Sequence, residues 1–285
     1  MNTMESQTEL EQALQQIKKW EKDQGGLMFW DKLGRIPFMI LDKMTPKMIR
    51  NKLGVVLNEL GRFIQSGGTY LISSKAVMQR LAKEQGQADQ ELTIAQASQL
   101  PLQVMNKTAD SLSKNRSNWA ALQGATTGIG GIFTISADIP AMIGMSLKIL
   151  QEIALCYGYD PKDPKERLFI MKCLQFSSSD IVGKKSILSE LSDFDHADTS
   201  REVFSQMKGW HEVITTYRDN FGIKKLFQLI PVAGIAFGAF TNHTALESVA
   251  EAGKMLYRKR RIQERLHELE EAESTATSLE KNVTE

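Results

Sequence analysis

Asp138, Asn242 and His243 are the residues whose types and setting point most directly to chemistry. Asp138 is the one charged residue between Arg116 and Lys148, and Asn242 and His243 fall in a second uncharged stretch between Lys225 and Glu247. A carboxyl group set in apolar sequence has its pKa raised by desolvation, which suits proton transfer or ligand binding. Two residues before Pro140, the same carboxylate also suits a plainer role, that of capping a helix that restarts at the proline. His243, with Asn242, reads either as a partner for Asp138 across a helical hairpin or as a core histidine satisfied by its neighbours. The sequence leaves open a buried site of an enzyme or small-molecule binder at these three residues, and purely structural roles for all of them.

Other chemistry finds little support. Asp193, Asp195, His196 and Asp198 are metal-capable types, yet a charged surface loop produces the same string. There is no H-E-x-x-H pattern and no paired-cysteine spacing, so no metal is expected. The run GATTGIGG (124–131) lacks the G-x-x-x-x-G-K-[ST] spacing of a phosphate-binding loop, and no strand precedes it. No G-x-S-x-G is present, and neither Cys156 nor Cys173 lies near a histidine in sequence. No cofactor and no catalytic residue is assigned.

These residues must be positioned by helices. The chain has 285 residues, enough for one large domain or two modest ones. With 35 Lys and Arg against 34 Asp and Glu, the net charge is +1, which argues against a nucleic-acid binder. Two cysteines cannot build a disulfide framework and fit a reducing cytoplasm. The polar opening MNTMESQTELEQ reads against a cleaved secretory signal. Leu10, Leu14, Ile17 and Trp20 recur at helical spacing within 5–24, and Gly25-Gly26 stops that pattern. Further helices are expected over about 45–65, 71–84, from Thr93 onward except near Pro101, over 165–176, and from Thr199 or Ser200 through Tyr217. Residues 189–200 read as an acidic loop. The expected organisation is an N-terminal amphipathic helix (1–26), a helical domain (27–268) and a polar, disordered tail (269–285).

Two small-residue stripes dominate the neutral stretches. Ala120, Gly124, Thr127, Gly131, Thr134 and Asp138 recur at three- and four-residue spacings, and Gly128 stands just off that line. Gly234, Gly238, Thr241, Ala245, Ser248 and Ala252 repeat the pattern. A glycine inside a helix costs about 1 kcal/mol relative to alanine, so several on one face imply close backbone approach. The expected fold is all-α, a helical domain built around these two close-packed Gly/Ala-rich helices. If they run antiparallel, Gly131 sits near Thr241 and Thr134 near Gly238.

Membrane association is a further expectation. Mean hydropathy over either stretch stays below that of a confident span, and Asp138 and Pro140 interrupt the first. A buried hairpin and a shallow or re-entrant insertion both remain open. Lys254, Arg258, Lys259, Arg260, Arg261 and Arg265 follow the second stripe. Such a cluster is the pattern expected at an anionic cytoplasmic leaflet, and it is also that of a solvated helix end. The expected location is cytoplasmic, peripheral or shallowly inserted at the cytoplasmic membrane, with a membrane surface or membrane protein as partner and no nucleic acid.

The string GATTGIGGIFTISADIPAMIGMSLKILQEIALCYGYD (124–160) resembles the EcsC protein family. That family's hallmark is a Gly-rich helix, an A-D-[IL]-P turn and a long helix ending near G-Y-D. Thr45-Pro46, DPKER (163–167), PVAGIAFGAFTN (231–242) and YRKR (257–260) match as well. Within these motifs the matching residues are Gly124, Gly128, Gly131, Asp138, Pro140, Gly144, Gly234, Gly238 and Asn242. The family is named for a protein encoded beside the ATPase and membrane subunits of a bacterial ABC exporter. The resemblance therefore implies an accessory role at an ABC transporter, and it implies no catalytic residue.

Overall fold

The computed structural model describes residues 5–24, 63, 72–127, 135–178, 181–192, 194 and 242–283. Side chains are described at 5–24, 63, 72–114, 143–177, 183–192, 194 and 246–276. Among these residues the fold is all-α, with eight helices. They are α1 (Gln7–Asp23), α2 (Ser74–Glu84), α3 (Ile94–Ser98), α4 (Leu102–Thr127), α5 (Ile135–Cys156), α6 (Pro164–Ser178), α7 (Ile181–Ser192) and α8 (Asn242–Val283).

Local chemistry starts several of them. Ser6 caps α1 in a reciprocal box: the Glu9 amide donates to Ser6 Oγ at 3.4 Å and the Ser6 amide donates to Glu9 Oε2 at 2.8 Å. That backbone N–H holds the exposed Glu9 carboxyl below the usual carboxylate range. Thr93 and Gln96 build the same box at α3. Ser73 caps α2 by accepting from the Ala76 amide. Pro101 separates α3 from α4, as the missing N–H and fixed φ of proline dictate.

α8 is the spine, 42 residues and about 63 Å long. It packs on α1, α4, α5 and α6. The directions follow from cross-links. Tyr157 OH donates to Asn106 Oδ1 at 2.6 Å, setting the end of α5 beside the start of α4, so those two helices are antiparallel. Lys254 reaches Asp110 at 2.6 Å while Arg265 reaches the Leu100 carbonyl at 2.6 Å, so α8 is antiparallel to α4. Gly253 lies against Leu150, and Arg261 lies against Tyr157, so α8 runs parallel to α5. Leu10, Ala13 and Ile17 of α1 join the core, together with Leu81, Met105, Leu147, Ile153 and Tyr257. No described helix is long and apolar enough to cross a membrane.

Three expectations change. Ala120, Gly124 and Thr127 lie on α4 while Asp138 lies on the antiparallel α5, so 120–138 is not one helical face. Residues 189–192, expected in the acidic loop, are the last turn of α7. The tail expected to be disordered continues as helix to Val283. Gly128, Gly131, Thr134, Gly234, Gly238 and Thr241 lie outside the described residues, as do the helix expected over 45–65, apart from the helical, buried Phe63, and that expected over 199–217. Close approach through a small residue does occur, at the residue that follows the second stripe. A Cβ added at Gly253 would stand 2.5 Å from Leu150 Cδ2, so α8 and α5 meet there with no room for a side chain unless Leu150 shifts.

Gly158, just after α5, has φ +79° and sits on the backbone of Ser98, where an added Cβ would be 2.4 Å from Cα. Gly86 has a similar φ of +85° with nothing within 4 Å. Gly86→Ala is expected to cost about 1–2 kcal/mol for the left-handed backbone alone. Gly158→Ala adds about 1–3 kcal/mol of overpacking. Urea denaturation of the two variants separates these contributions, and equal losses would refute the α3–α5 approach.

Candidate functional site

The basic run on α8 turns inward. Lys254 pairs with Asp110, and Lys259 pairs with Glu21 of α1 at 2.7 Å. Arg260, Arg261 and Arg265 are buried, between 5% and 8% exposed, and Arg258 is half-buried. This placement does not match the membrane-surface role expected of Lys254, Arg258, Lys259, Arg260 and Arg261. The physical reason is that a 42-residue helix laid across the bundle must bury a face, and four of these five residues have their partners on that face or beside it.

Arg260 and Glu166 form the centre of that face. Asp160 and Asp163 fold the turn after α5 by accepting from the Lys162 and Lys165 amides. Pro164 then opens α6, placing Glu166 in its first turn, where a carboxylate complements the helix dipole. Arg260 Nη1 donates to Glu166 Oε1 at 2.6 Å, and Tyr257 OH donates to Glu166 Oε2 at 3.3 Å. The guanidinium carbon lies 4.2 Å from the Tyr159 ring centroid and 5.0 Å from that of Phe169. Arg261 approaches the same Tyr159 ring, at 4.4 Å. Aromatic faces thus replace part of the lost hydration of both cations.

Arg261 and Arg265 close helix ends. Arg261 Nε donates at 2.9 Å to the Tyr157 carbonyl, beyond the C-terminus of α5. Arg265 Nη2 donates to the carbonyls of Ser98 at 2.9 Å and Leu100 at 2.6 Å, at the end of α3. Carbonyls at helix C-termini lack intrahelical donors, so cations belong there. Arg265 Nη1 also meets Glu5 Oε2 at 2.5 Å, while Glu5 Oε1 accepts from the Leu102 amide, the first of α4. One carboxylate thereby joins the N-terminal segment, the start of α4 and the spine. Burial pulls the Arg265 guanidinium below its ordinary range, and the Glu5 charge opposes that shift.

Sequence reasoning missed Glu5, Tyr159 and the role of Glu166. The available signal was Pro164 with an acid two residues later, which places that acid in a first turn.

The opposite pole is different. α4 ends there, and α5 and α8 begin there. Residues 117–127 carry no charge, 135–147 carry only Asp138, and 242–246 carry no Asp, Glu, Lys or Arg. α5, described from Ile135, runs unbroken through Pro140, so Asp138 lies within the helix rather than capping one that restarts at the proline. Asn242 and His243 open α8. Counting back equally from Gly253 and from Leu150 along the parallel helices sets Asn242 within about one helical turn of Asp138 along the axis. The sequence-predicted trio is therefore gathered at one level by backbone register. Among the described residues no group of three or more His, Cys, Asp or Glu is placed to hold a metal. His196 and Asp195 lie outside the described residues, as do Asp193 and Asp198.

Buried titratable groups set the protein's response to alkali. Burial raises the Cys156 and Cys173 thiols and the Tyr157, Tyr159 and Tyr257 phenols, so all five stay protonated in the fold. The unfolded chain releases these protons near pH 8.5 for Cys and near pH 10 for Tyr, so stability is complete below those values and lost above them. The free energy of unfolding, and with it the melting temperature, is expected to fall as pH rises from about 8.5 to 11, the free energy by up to about 1.4 kcal/mol per pH unit for each group. A Cys156→Ala, Cys173→Ala double variant should delay the onset toward pH 10. An unchanged onset would mean that the thiols are not the first groups to titrate.

Removing one member of the buried pair is expected to be costly. Glu166→Leu removes the shorter of the two carboxylate contacts of Arg260, leaving Glu264 at 3.6 Å, and should lose up to about 3–5 kcal/mol in urea denaturation, most of which Arg260→Met restores in the double variant. A double variant as unstable as the sum of the singles would refute the pairing.

Among known proteins, the Bacillus subtilis (strain 168) uncharacterized protein YdbA is 52% identical over 266 residues, which cover 93% of this chain and 97% of YdbA. Protein EcsC of the same organism is 31% identical over 167 residues, 59% of this chain and 68% of the relative. No solved structure matches significantly. The sequence profile of the EcsC protein family matches residues 11–262, from within α1 to just past the Arg260–Arg261 pair, and the chain belongs to that family.

Proposed function

We propose that this protein is a cytoplasmic accessory protein that docks its charge-poor pole at the membrane, against a membrane complex of the ABC-transporter kind. The observation that carries this reading is the meeting of three helix ends at one pole with a single charged residue, Asp138, among 117–127, 135–147 and 242–246. A pole nearly without charge loses little hydration when it is covered by apolar partner helices or by the lipid interface. The far pole holds the internal ion pairs and is already satisfied by the protein itself. Its arginines are therefore not the membrane contact in this reading, and charge reversal at Arg260 or Arg261 would test folding instead.

Cell fractionation tests the proposal. The protein is expected to sediment with membranes and to remain there through a high-salt wash, because the contact is apolar rather than ionic. Thr127→Lys, at the last residue of α4, should move most of it to the supernatant. Gln263→Lys, an exposed position near the other pole, should not. Circular dichroism establishes that both variants fold. Wild-type protein found in the supernatant, or two lysine variants that behave alike, would overturn the reading. An alkaline wash is unsuited to this question, since the buried thiols and phenols make the fold itself labile there.

A further inference from the structure

α8 does not end with the bundle. Arg265 is its last buried residue among those whose side chains are described, and every residue from His267 to Ala276 is exposed. The backbone nevertheless continues as helix to Val283, about 27 Å beyond Arg265. Leu269 is the one exposed large hydrophobic residue among the described residues, at 37%. It opens a register of Leu269, Ala272, Ala276, Leu279 and Val283, spaced three, four, three and four. That is the a/d seam of a short coiled coil. The flanking e and g positions are Glu268, Glu273, Thr275, Glu280 and Asn282.

We infer that this projecting end of α8 is a docking face for an amphipathic helix of another protein with an apolar seam and Lys or Arg at its flanks. Charge selects this occupant. A second copy of the chain would set glutamate against glutamate in a parallel pair, through Glu268 and Glu273, and acids against acids in an antiparallel one. An anionic membrane surface is equally unsuited, because 266–283 carries Glu268, Glu270, Glu271, Glu273 and Glu280 against Lys281 alone. A basic-flanked helix satisfies both the seam and the flanks. Ser274, Thr275, Thr277 and Ser278 are weak helix formers, and a solvated helix of this length is marginal alone, so a partner would also order it. This face lies at the far end of the spine from the charge-poor pole and is independent of the function proposed above.

Three synthetic three-heptad peptides test it against the full-length chain by fluorescence anisotropy. One has Leu at a and d with Lys at e and g, the second keeps the Leu seam with Glu flanks, and the third keeps the Lys flanks with Ser replacing the seam. The first is expected to bind at least tenfold more tightly than either of the others. Leu269→Asp with Leu279→Asp should weaken that binding at least tenfold, and Leu269→Asp alone should weaken it while the melting temperature stays constant, since Leu269 is exposed. Reversal of Glu268, Glu273 and Glu280 to Lys should transfer the preference to the Glu-flanked peptide. Equal binding of all three peptides, or binding indifferent to the two leucines, would overturn the assignment. So would a dimer in sedimentation equilibrium that is lost with the two leucines, since a second copy would then occupy the face.

Discussion

The fold depends on the burial of three guanidinium groups on one stretch of α8. A buried cation is tolerated only when its donors are met, and the donors of Arg260, Arg261 and Arg265 are met by different elements. Arg260 requires the first turn of α6, Arg261 the carbonyl just past α5, and Arg265 both the end of α3 and Glu5 ahead of α1. No one of these contacts can form in isolation at acceptable cost. Each guanidinium therefore couples the position of the spine to another helix, and together they fix its register. Gly253 reads the same register through shape: a side chain there would collide with Leu150, so α8 can slide along α5 only with loss of packing.

That register makes the two ends of the bundle chemically unlike. Because α5 and α8 run parallel, the C-terminal end of α5 meets the middle of α8, where the arginines are, and their N-termini meet where the sequence is nearly uncharged. Arg261 serves the C-terminal end of α5 by donating to the Tyr157 carbonyl. At the other pole Asp138 lies in the N-terminal part of α5, the half of a helix in which a carboxylate is favoured over a cation.

Much of the helical content was legible because its signals are local. Ser6 with Glu9 and Thr93 with Gln96 mark two helix starts within four residues each, and Pro101 marks a break by covalent geometry alone. The basic run was not legible in the same way. Its periodicity says that Arg261 and Arg265 share a face, but their partners lie 104 and 260 residues away in sequence, at Tyr157 and Glu5. Nothing in the spacing of cations distinguishes a face that meets phosphates from one that meets the protein's own carbonyls. The first glycine stripe misled for a related reason. Three- and four-residue spacing is preserved in the numbering across a reversal of the chain, so Gly124 and Asp138 look like neighbours on one helix while standing on two antiparallel ones. The close approach that the structure does show, at Gly253, falls one residue beyond Ala252, the last that spacing singled out.

The contact between Glu5 and Arg265 has a further consequence for architecture. Both residues fall outside the 11–262 span that matches the EcsC family, one beyond each end. Within that span the spine is already held by Arg260 on Glu166 and Arg261 on Tyr157. Glu5 and Arg265 extend the hold by one more turn and tie the start of the chain to the point where α8 leaves the bundle. Beyond that point the described side chains of the helix have no core, and an unsupported helix of that length is marginal. Anchoring residue 265 to α3, α4 and the N-terminal segment instead lets the exit point of the helix be set by the core. The direction of the projecting end is then a property of the folded bundle, and its apolar seam leaves the protein along the axis fixed by the same arginines that position the charge-poor pole.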